Sequence, residues 1–164
     1  MKPLFIIPLV LMSLVSFPSW SSSYHGLVER DGLYFEKFKD VPYSGKYVGP
    51  FELETGSFVD GRLHGLWTSF HLNGQLSQKG EYQNGKRSGH WVFRFENGKL
   101  FMEGSFKDGI KEGFWEIFIE EGRLFKKGQF KNGKKEGYWI FNKRNGEPYA
   151  RWTGFYKSGA KVGN

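Results

Sequence analysis

The sequence predicts an all-β fold, an elongated single-layer antiparallel sheet of stacked 24-residue β-hairpins. Three observations predict it. The chain of 164 residues contains 23 Gly, 17 Phe, 8 Tyr and 6 Trp, and such a composition favours strands and tight turns. Tryptophan and glycine recur every 24 residues. Asn-Gly pairs separate runs of alternating apolar residues, which is the strongest short-range signal for a hairpin.

The first segment, residues 1–23, predicts a secretory signal peptide rather than a part of the fold. Lys2 precedes an apolar run from Leu4 to Phe17, and small residues follow the run, as in signal peptides. The run is short for a membrane span, which needs about 20 apolar residues. We therefore expect a periplasmic or secreted protein, with an uncleaved membrane anchor as the alternative.

The second segment, residues 24–55, predicts a degenerate N-terminal unit, in which Tyr47 takes the place of tryptophan. Residues 56–164 hold about four and a half regular repeats. In each repeat a strand leads to an Asn-Gly turn, a return strand follows, and a linker of the form Asn/Asp-Gly-x-x-x-Gly ends both strands. The last repeat predicts an unpaired edge strand near Tyr149–Lys157, through which copies of the chain can associate.

The spacing of tryptophan and glycine resembles the MORN repeat family, and more closely its bacterial variant. The family pattern of Gly-x-Trp, aromatic positions, an Asn-Gly turn and Gly-x-(Phe/Tyr)-x-x-Gly occurs at Gly65–Gly89, Gly89–Gly113 and Gly113–Gly137. The resemblance covers roughly Gly45–Asn164. It implies a scaffold that binds proteins, associates with itself or binds anionic lipid. Similar bacterial arrays are described as antitoxins of toxin–antitoxin pairs, which for an exported chain implies immunity against an exported toxin.

The residue types and their spacing exclude most kinds of catalytic and metal-binding site. The chain has no Cys, so disulfides, thiolate metal sites and cysteine nucleophiles are excluded. The four histidines lack the spacing of metal ligands, and neither a nucleophile elbow nor a phosphate-binding glycine loop occurs. We therefore expect no catalytic residues, metal ligands or cofactor, and a protein that is not an enzyme.

The aromatic columns have two interpretations, a structural spine or a partly exposed face that binds a partner. The candidate partner-binding residues under the second interpretation are Trp67, Trp91, Trp115, Trp139, Phe93 and Phe95.

Basic residues recur where one hairpin leads into the next, which predicts a positively charged edge of the sheet. The candidate anion-binding residues are Arg62, Lys86, Arg87, Lys111, Lys134 and Lys135. A charged surface that keeps the sheet soluble is the alternative interpretation. Our leading hypothesis is an exported scaffold that binds a protein through its aromatic face or a sheet edge. The alternatives are peripheral binding to anionic lipid and immunity against a toxin. Nucleic acid is not an expected partner of an exported protein.

Overall fold

The computed structural model describes residues 26–164, so the predicted signal peptide lies outside the described residues. Those residues form fourteen strands and one short 3-10 turn at Pro50–Glu52. The strands are β1 (Leu27–Arg30), β2 (Leu33–Glu36), β3 (Gly45–Val48), β4 (Glu54–Val59), β5 (Arg62–Leu63), β6 (Gly65–Phe70), β7 (Leu76–Gln83), β8 (Lys86–Arg94), β9 (Leu100–Lys107), β10 (Ile110–Phe118), β11 (Leu124–Lys131), β12 (Lys134–Phe141), β13 (Gly154–Lys157) and β14 (Ala160–Gly163). None of residues 26–164 belongs to a helix long and apolar enough to cross a membrane.

Twelve strands form one open sheet in which neighbours in the chain are neighbours in space. Strands β6 to β14 follow one another in order, β4 and β3 continue the sheet beyond β6, and β5 pairs with β4 alone. Every pairing is antiparallel. The predicted sheet of stacked hairpins is confirmed.

From β6 to β12, short turns join each strand to the next. At one end of β8, Asn84 and Gly85 both take positive φ, +50° and +79°, as the two-residue turn of a hairpin with right-handed twist requires. At the other end, the amide of Phe95 donates to the carbonyl of Lys99 at 2.9 Å around the Asn97-Gly98 turn.

The prediction that the inter-hairpin linker ends both flanking strands is wrong in one respect. Only its first two residues form a turn, and its remaining residues begin the next strand, as Lys86 to Gly89 do in β8. Gly89 takes a φ of +65° inside that strand, where the register with β7 shifts at a bulge. A left-handed glycine therefore bends the strand there without ending it.

The N-terminal unit is a cap on the first repeat. The β1–β2 hairpin joins the sheet through the amide of Tyr34, which donates to the carbonyl of Gly61 at 2.9 Å. Tyr47 takes the tryptophan position as predicted, because it lies opposite Gly56 and stacks on Trp67 with ring centroids 5.5 Å apart.

The C-terminal edge differs from the prediction of an unpaired strand near Tyr149–Lys157. The strand begins only at Gly154, because the segment before it folds into a turn in which the amide of Trp152 donates to the carbonyl of Tyr149 at 2.9 Å. Ser158 and Gly159 then form another turn with positive φ. That turn returns the chain as β14, which pairs with β13 and becomes the edge itself.

Candidate functional site

Each side of the sheet has its own set of side chains, because residues alternate along a strand. We call the side that bears Trp67, Trp91, Trp115 and Trp139 the tryptophan face, and the other side the opposite face. Within each hairpin, a tryptophan lies directly across from a glycine of the return strand, as Trp67 does from Gly80 and Trp91 from Gly104.

The tryptophan rings hold neighbouring hairpins together. Trp91 leans back across the preceding hairpin, so that a Cβ atom on Gly80 would come 2.2 Å from its ring. Its indole N–H donates to the carbonyl of Glu81 at 3.1 Å. Trp115 and Trp139 repeat the arrangement, with indole N–H bonds of 3.1 and 3.0 Å to the equivalent carbonyls one hairpin back. The glycine column thus makes room for rings that join one repeat to the next.

Burial favours the structural interpretation for five of the six aromatic candidates. Trp91, Trp115 and Trp139 are fully buried, and Trp67 and Phe93 are each only 8% exposed. Tilted or edge-on ring contacts continue the column from repeat to repeat through Tyr82, Phe106 and Phe130. Phe95 alone of the six is half-buried rather than buried, with its ring centroid 4.9 Å from that of Phe101. Phe95 is therefore the aromatic candidate placed to meet a partner.

The basic candidates divide into two groups that were not distinguished in the sequence. Arg62, Lys86 and Lys134 are exposed beside the two-residue turns. The other three fold over the rings of the tryptophan face. The cationic groups of Arg87 and Lys111 lie 4.6 and 4.1 Å from the ring centroids of Trp91 and Trp115, and that of Lys135 lies 4.4 Å from Tyr156. Such contacts are typical cation–π interactions.

Charge is segregated between the two faces. From β6 to β12, no tryptophan-face position of a strand holds Asp or Glu, whereas four hold a cation. Those cations are Arg87, Lys111, Lys126 and Lys135. The carboxylates of these strands lie on the opposite face, where Glu116 approaches Lys127 at 3.7 Å and Glu103 approaches His90 at 3.4 Å. The tryptophan face is therefore a strip of aromatic rings and positive charge.

An open groove of about 570 Å³ lies along one side of this strip, where strands β9 to β11 end at their turns. Its apolar lining includes Phe95, Phe101, Met102, Ile117, Ile119 and Phe125. Lys111, Lys126 and Arg144 bring three cations to it against the single carboxylate of Glu120. We call it the aromatic groove. It is large enough for side chains of a peptide, and aromatic residues and Met are enriched in protein interfaces.

Burial lowers the pKa of three lysines on the tryptophan face. Removal from water is the largest cause for Lys111, Lys126 and Lys135 alike. The positive charge of Lys126 further lowers the pKa of both Lys111 and Lys135. An environment that depresses lysine pKa values lacks compensating negative charge, so these groups favour an incoming anion.

The opposite face also carries exposed rings. Phe114 and Tyr138 are 58% and 49% exposed, and the Tyr138 ring packs against Phe155 with centroids 5.0 Å apart. No three His, Asp or Glu side chains of residues 26–164 are grouped so that they could hold a metal ion.

The sequence reasoning named only Phe95 and Lys111 among the groove residues, and Phe101, Phe125 and Lys126 are among those that it missed. A signal for Lys126 was present, because it shares the 24-residue register with Gln78 and Met102 and the strand parity of the tryptophan column. Phe101 lies where the register between β8 and β9 shifts, so strand alternation alone does not assign its face.

The family model described as MORN repeat variant matches the chain twice, at residues 63–84 and 87–108. The two matches lie one repeat apart and cover the hairpins that carry Trp67 and Trp91. No curated protein is significantly similar to the chain.

Proposed function

Because this chain is a MORN repeat protein, we propose that it is an exported, non-enzymatic scaffold that binds a protein partner in the aromatic groove of its tryptophan face. The aromatic groove is the observation that carries the proposal. A stacked-hairpin sheet has the geometry of a scaffold, since each repeat contacts only its neighbours and presents one continuous surface.

Accessible rings favour the groove over the tryptophan column as the binding surface. Phe101 and Phe125 are 37% and 39% exposed, while the tryptophans beneath are needed to join the repeats. Exposed apolar groups beside charged ones are typical of an interaction site. Immunity against an exported toxin is one form of this function, in which the toxin is the bound protein.

Site-specific photo-crosslinking tests the proposal. The photoreactive amino acid p-benzoylphenylalanine replaces Phe125 in the groove or, as the matched control, Phe114 on the opposite face, in cells that produce the full chain. We expect a covalent adduct of one protein mass from position 125 and none from position 114. Adducts from position 114 alone would transfer the binding function to the opposite face, and adducts from neither position would contradict a protein partner.

Peripheral binding to anionic lipid is the second candidate, and the exposed cations Arg62, Lys86 and Lys134 favour it. These cations recur at intervals of 24 residues beside the two-residue turns. In the repeat between Lys86 and Lys134, that position holds Ile110, which is 50% exposed. Each cation near an anionic surface contributes about 1 kcal/mol, so three separated cations give weak attachment. Charge reversal of all three should abolish sedimentation with phosphatidylglycerol vesicles if lipid is the ligand, and vesicle binding that survives it would exclude this edge.

A further inference from the structure

A cation lies above the tryptophan in several repeats, and the residue that contacts this cation differs from one repeat to the next. Arg87 donates to the side-chain oxygen of Gln78 at 3.1 Å, and Lys111 approaches the sulfur of Met102 at 3.9 Å. In the next repeat the cation is Lys135, and the position of Gln78 and Met102 is taken by Lys126. A second ammonium group thus stands where the earlier repeats provide an acceptor.

Lys111, Lys126 and Lys135 have no counter-ion on the tryptophan face. None of the ion pairs formed within residues 26–164 involves Lys111, Lys126 or Lys135. Strand β11, which carries Lys126, lies between β10 and β12, which carry the other two. The three lysines therefore lie on three adjacent strands of one face, and Glu120 is the single carboxylate that lines the groove beside Lys111 and Lys126.

Partial burial indicates what kind of anion can reach this place. All three lysines are half-buried, whereas Lys86 and Lys134 at the sheet edge are exposed. A flat membrane surface meets protruding cations first, while a single side chain of a peptide can enter a recess. Lys111 and Lys126 also line the aromatic groove, so an apolar residue of the same peptide would find its own contact beside them.

We propose that Lys111, Lys126 and Lys135 form an anion seat that binds an acidic side chain of the protein partner, while the aromatic groove takes an apolar residue next to it. The seat rests on the proposed function and adds the chemistry of the partner, an acidic segment interleaved with apolar residues. Charge-assisted hydrogen bonds from lysine ammonium groups to a carboxylate are among the stronger polar contacts, and their partial burial protects them from salt screening.

Substitution of Lys126 tests the seat without disturbing the fold, because the chain already uses other residues there. Lys126→Gln and Lys126→Met reproduce the residues of the two preceding repeats, Gln78 and Met102. The matched control is Lys131→Gln, which removes the same charge from the same strand at an exposed position of the opposite face.

The probe is a fluorescein-labelled peptide of alternating glutamate and leucine, and fluorescence anisotropy measures its binding to the full chain. We expect both Lys126 variants to weaken binding about tenfold or more, as loss of a hydrogen bond to a charged group does. Lys131→Gln should change binding less than about twofold, and a peptide of glutamine and leucine should bind weakly to every variant.

Two results would overturn the anion seat. Equal weakening by Lys126→Gln and Lys131→Gln would show that only net charge attracts the peptide. Binding of phosphatidylglycerol vesicles that needs Lys126, together with no binding of the acidic peptide, would show that the lysines recognise a lipid phosphate instead.

The anion seat and the proposed function fail in different ways. If the adduct from position 125 persists in cells after Lys126→Gln, the groove binds its partner without the seat. If the acidic peptide binds through Lys126 but position 125 gives no adduct in cells, the seat exists and a protein partner does not.

A converse variant, Met102→Lys, should create a second seat between Lys111 and Arg87 and tighten peptide binding. Unchanged binding would contradict the arrangement.

Discussion

Replacement of Gly80 with alanine should destabilise the sheet, because the added methyl group takes the place of the Trp91 ring. The Cβ atom of alanine would lie 2.2 Å from that ring, and carbon atoms in favourable contact stay about 3.5–4.0 Å apart. The ring must therefore retreat by about 1.3 Å or more. Gly80 is not among the glycines of the described chain with positive φ, so backbone strain adds nothing to the cost.

The structure sets the size of the effect. Overpacking of a well-filled contact costs about 1–3 kcal/mol. A retreating ring also loses the indole N–H bond to Glu81, which is 3.1 Å long and contributes about 1 kcal/mol. Alanine recovers about 0.5–1 kcal/mol relative to glycine in a strand. We expect Gly80→Ala to lower the free energy of unfolding by about 1–3 kcal/mol.

A double-mutant cycle with Trp91→Leu isolates this contact. Urea unfolding followed by far-ultraviolet circular dichroism gives the free energy of each variant. Once the large ring is gone, Gly80→Ala should be neutral or stabilise by up to about 1 kcal/mol. The matched control is Gly163→Ala, whose added Cβ atom meets only the Cβ of Phe155 at 4.0 Å. Equal destabilisation by Gly80→Ala with and without the Trp91 ring would refute the reasoning.

Three further predictions follow from the cations and the N-terminal segment. Arg87→Ala should lower the free energy of unfolding by about 1–2 kcal/mol, since it removes the bond to Gln78 and a cation–π contact; an unchanged midpoint in urea would contradict this role. Lys126→Gln should raise the melting temperature at pH 7, because it removes a half-buried charge whose pKa is lowered by desolvation. That penalty is present below the depressed pKa and fades as the pH rises towards 10.5, so the gain should shrink over that range; a constant gain would exclude the charge as its cause. N-terminal sequencing of the expressed protein should begin between Ser21 and Gly26, and a product that retains the first methionine would contradict cleavage.

The sheet was predictable because its determinants are local and repeated. Asn84-Gly85 and its equivalents such as Asp108-Gly109 fix a two-residue turn through two residues with positive φ, and alternation fixes which side chains share a face. Both signals occur in every repeat, so strands such as β8 and β9 could be placed from their own residues. Tyr47 could likewise be assigned to the tryptophan position of a degenerate unit, where the structure places it opposite Gly56.

The contacts between hairpins were not predictable in the same way. They depend on the bulge at Gly89, which shifts the register against β7 and directs Trp91 over Gly80. The same shift determines that Arg87 lies above a ring instead of beside a turn. Glycine at position 89 looked like a strand end in the sequence, because a turn and a bulge both use left-handed glycine.

Function in such a scaffold is expected at positions where the repeats differ, because the residues that they share are needed to join the hairpins. Each tryptophan and the glycine beneath it are needed to join one hairpin to the next, so neither is free to change with the partner. The position shared by Gln78, Met102 and Lys126 holds a different residue type in each repeat, and in the first two of these repeats its side chain meets the cation above the next tryptophan. A change from acceptor to cation at this one position turns a satisfied pair into an unsatisfied one while leaving the sheet intact. Binding specificity can therefore vary from repeat to repeat while the sheet is kept, and Lys126 is a position at which this chain departs from its own pattern.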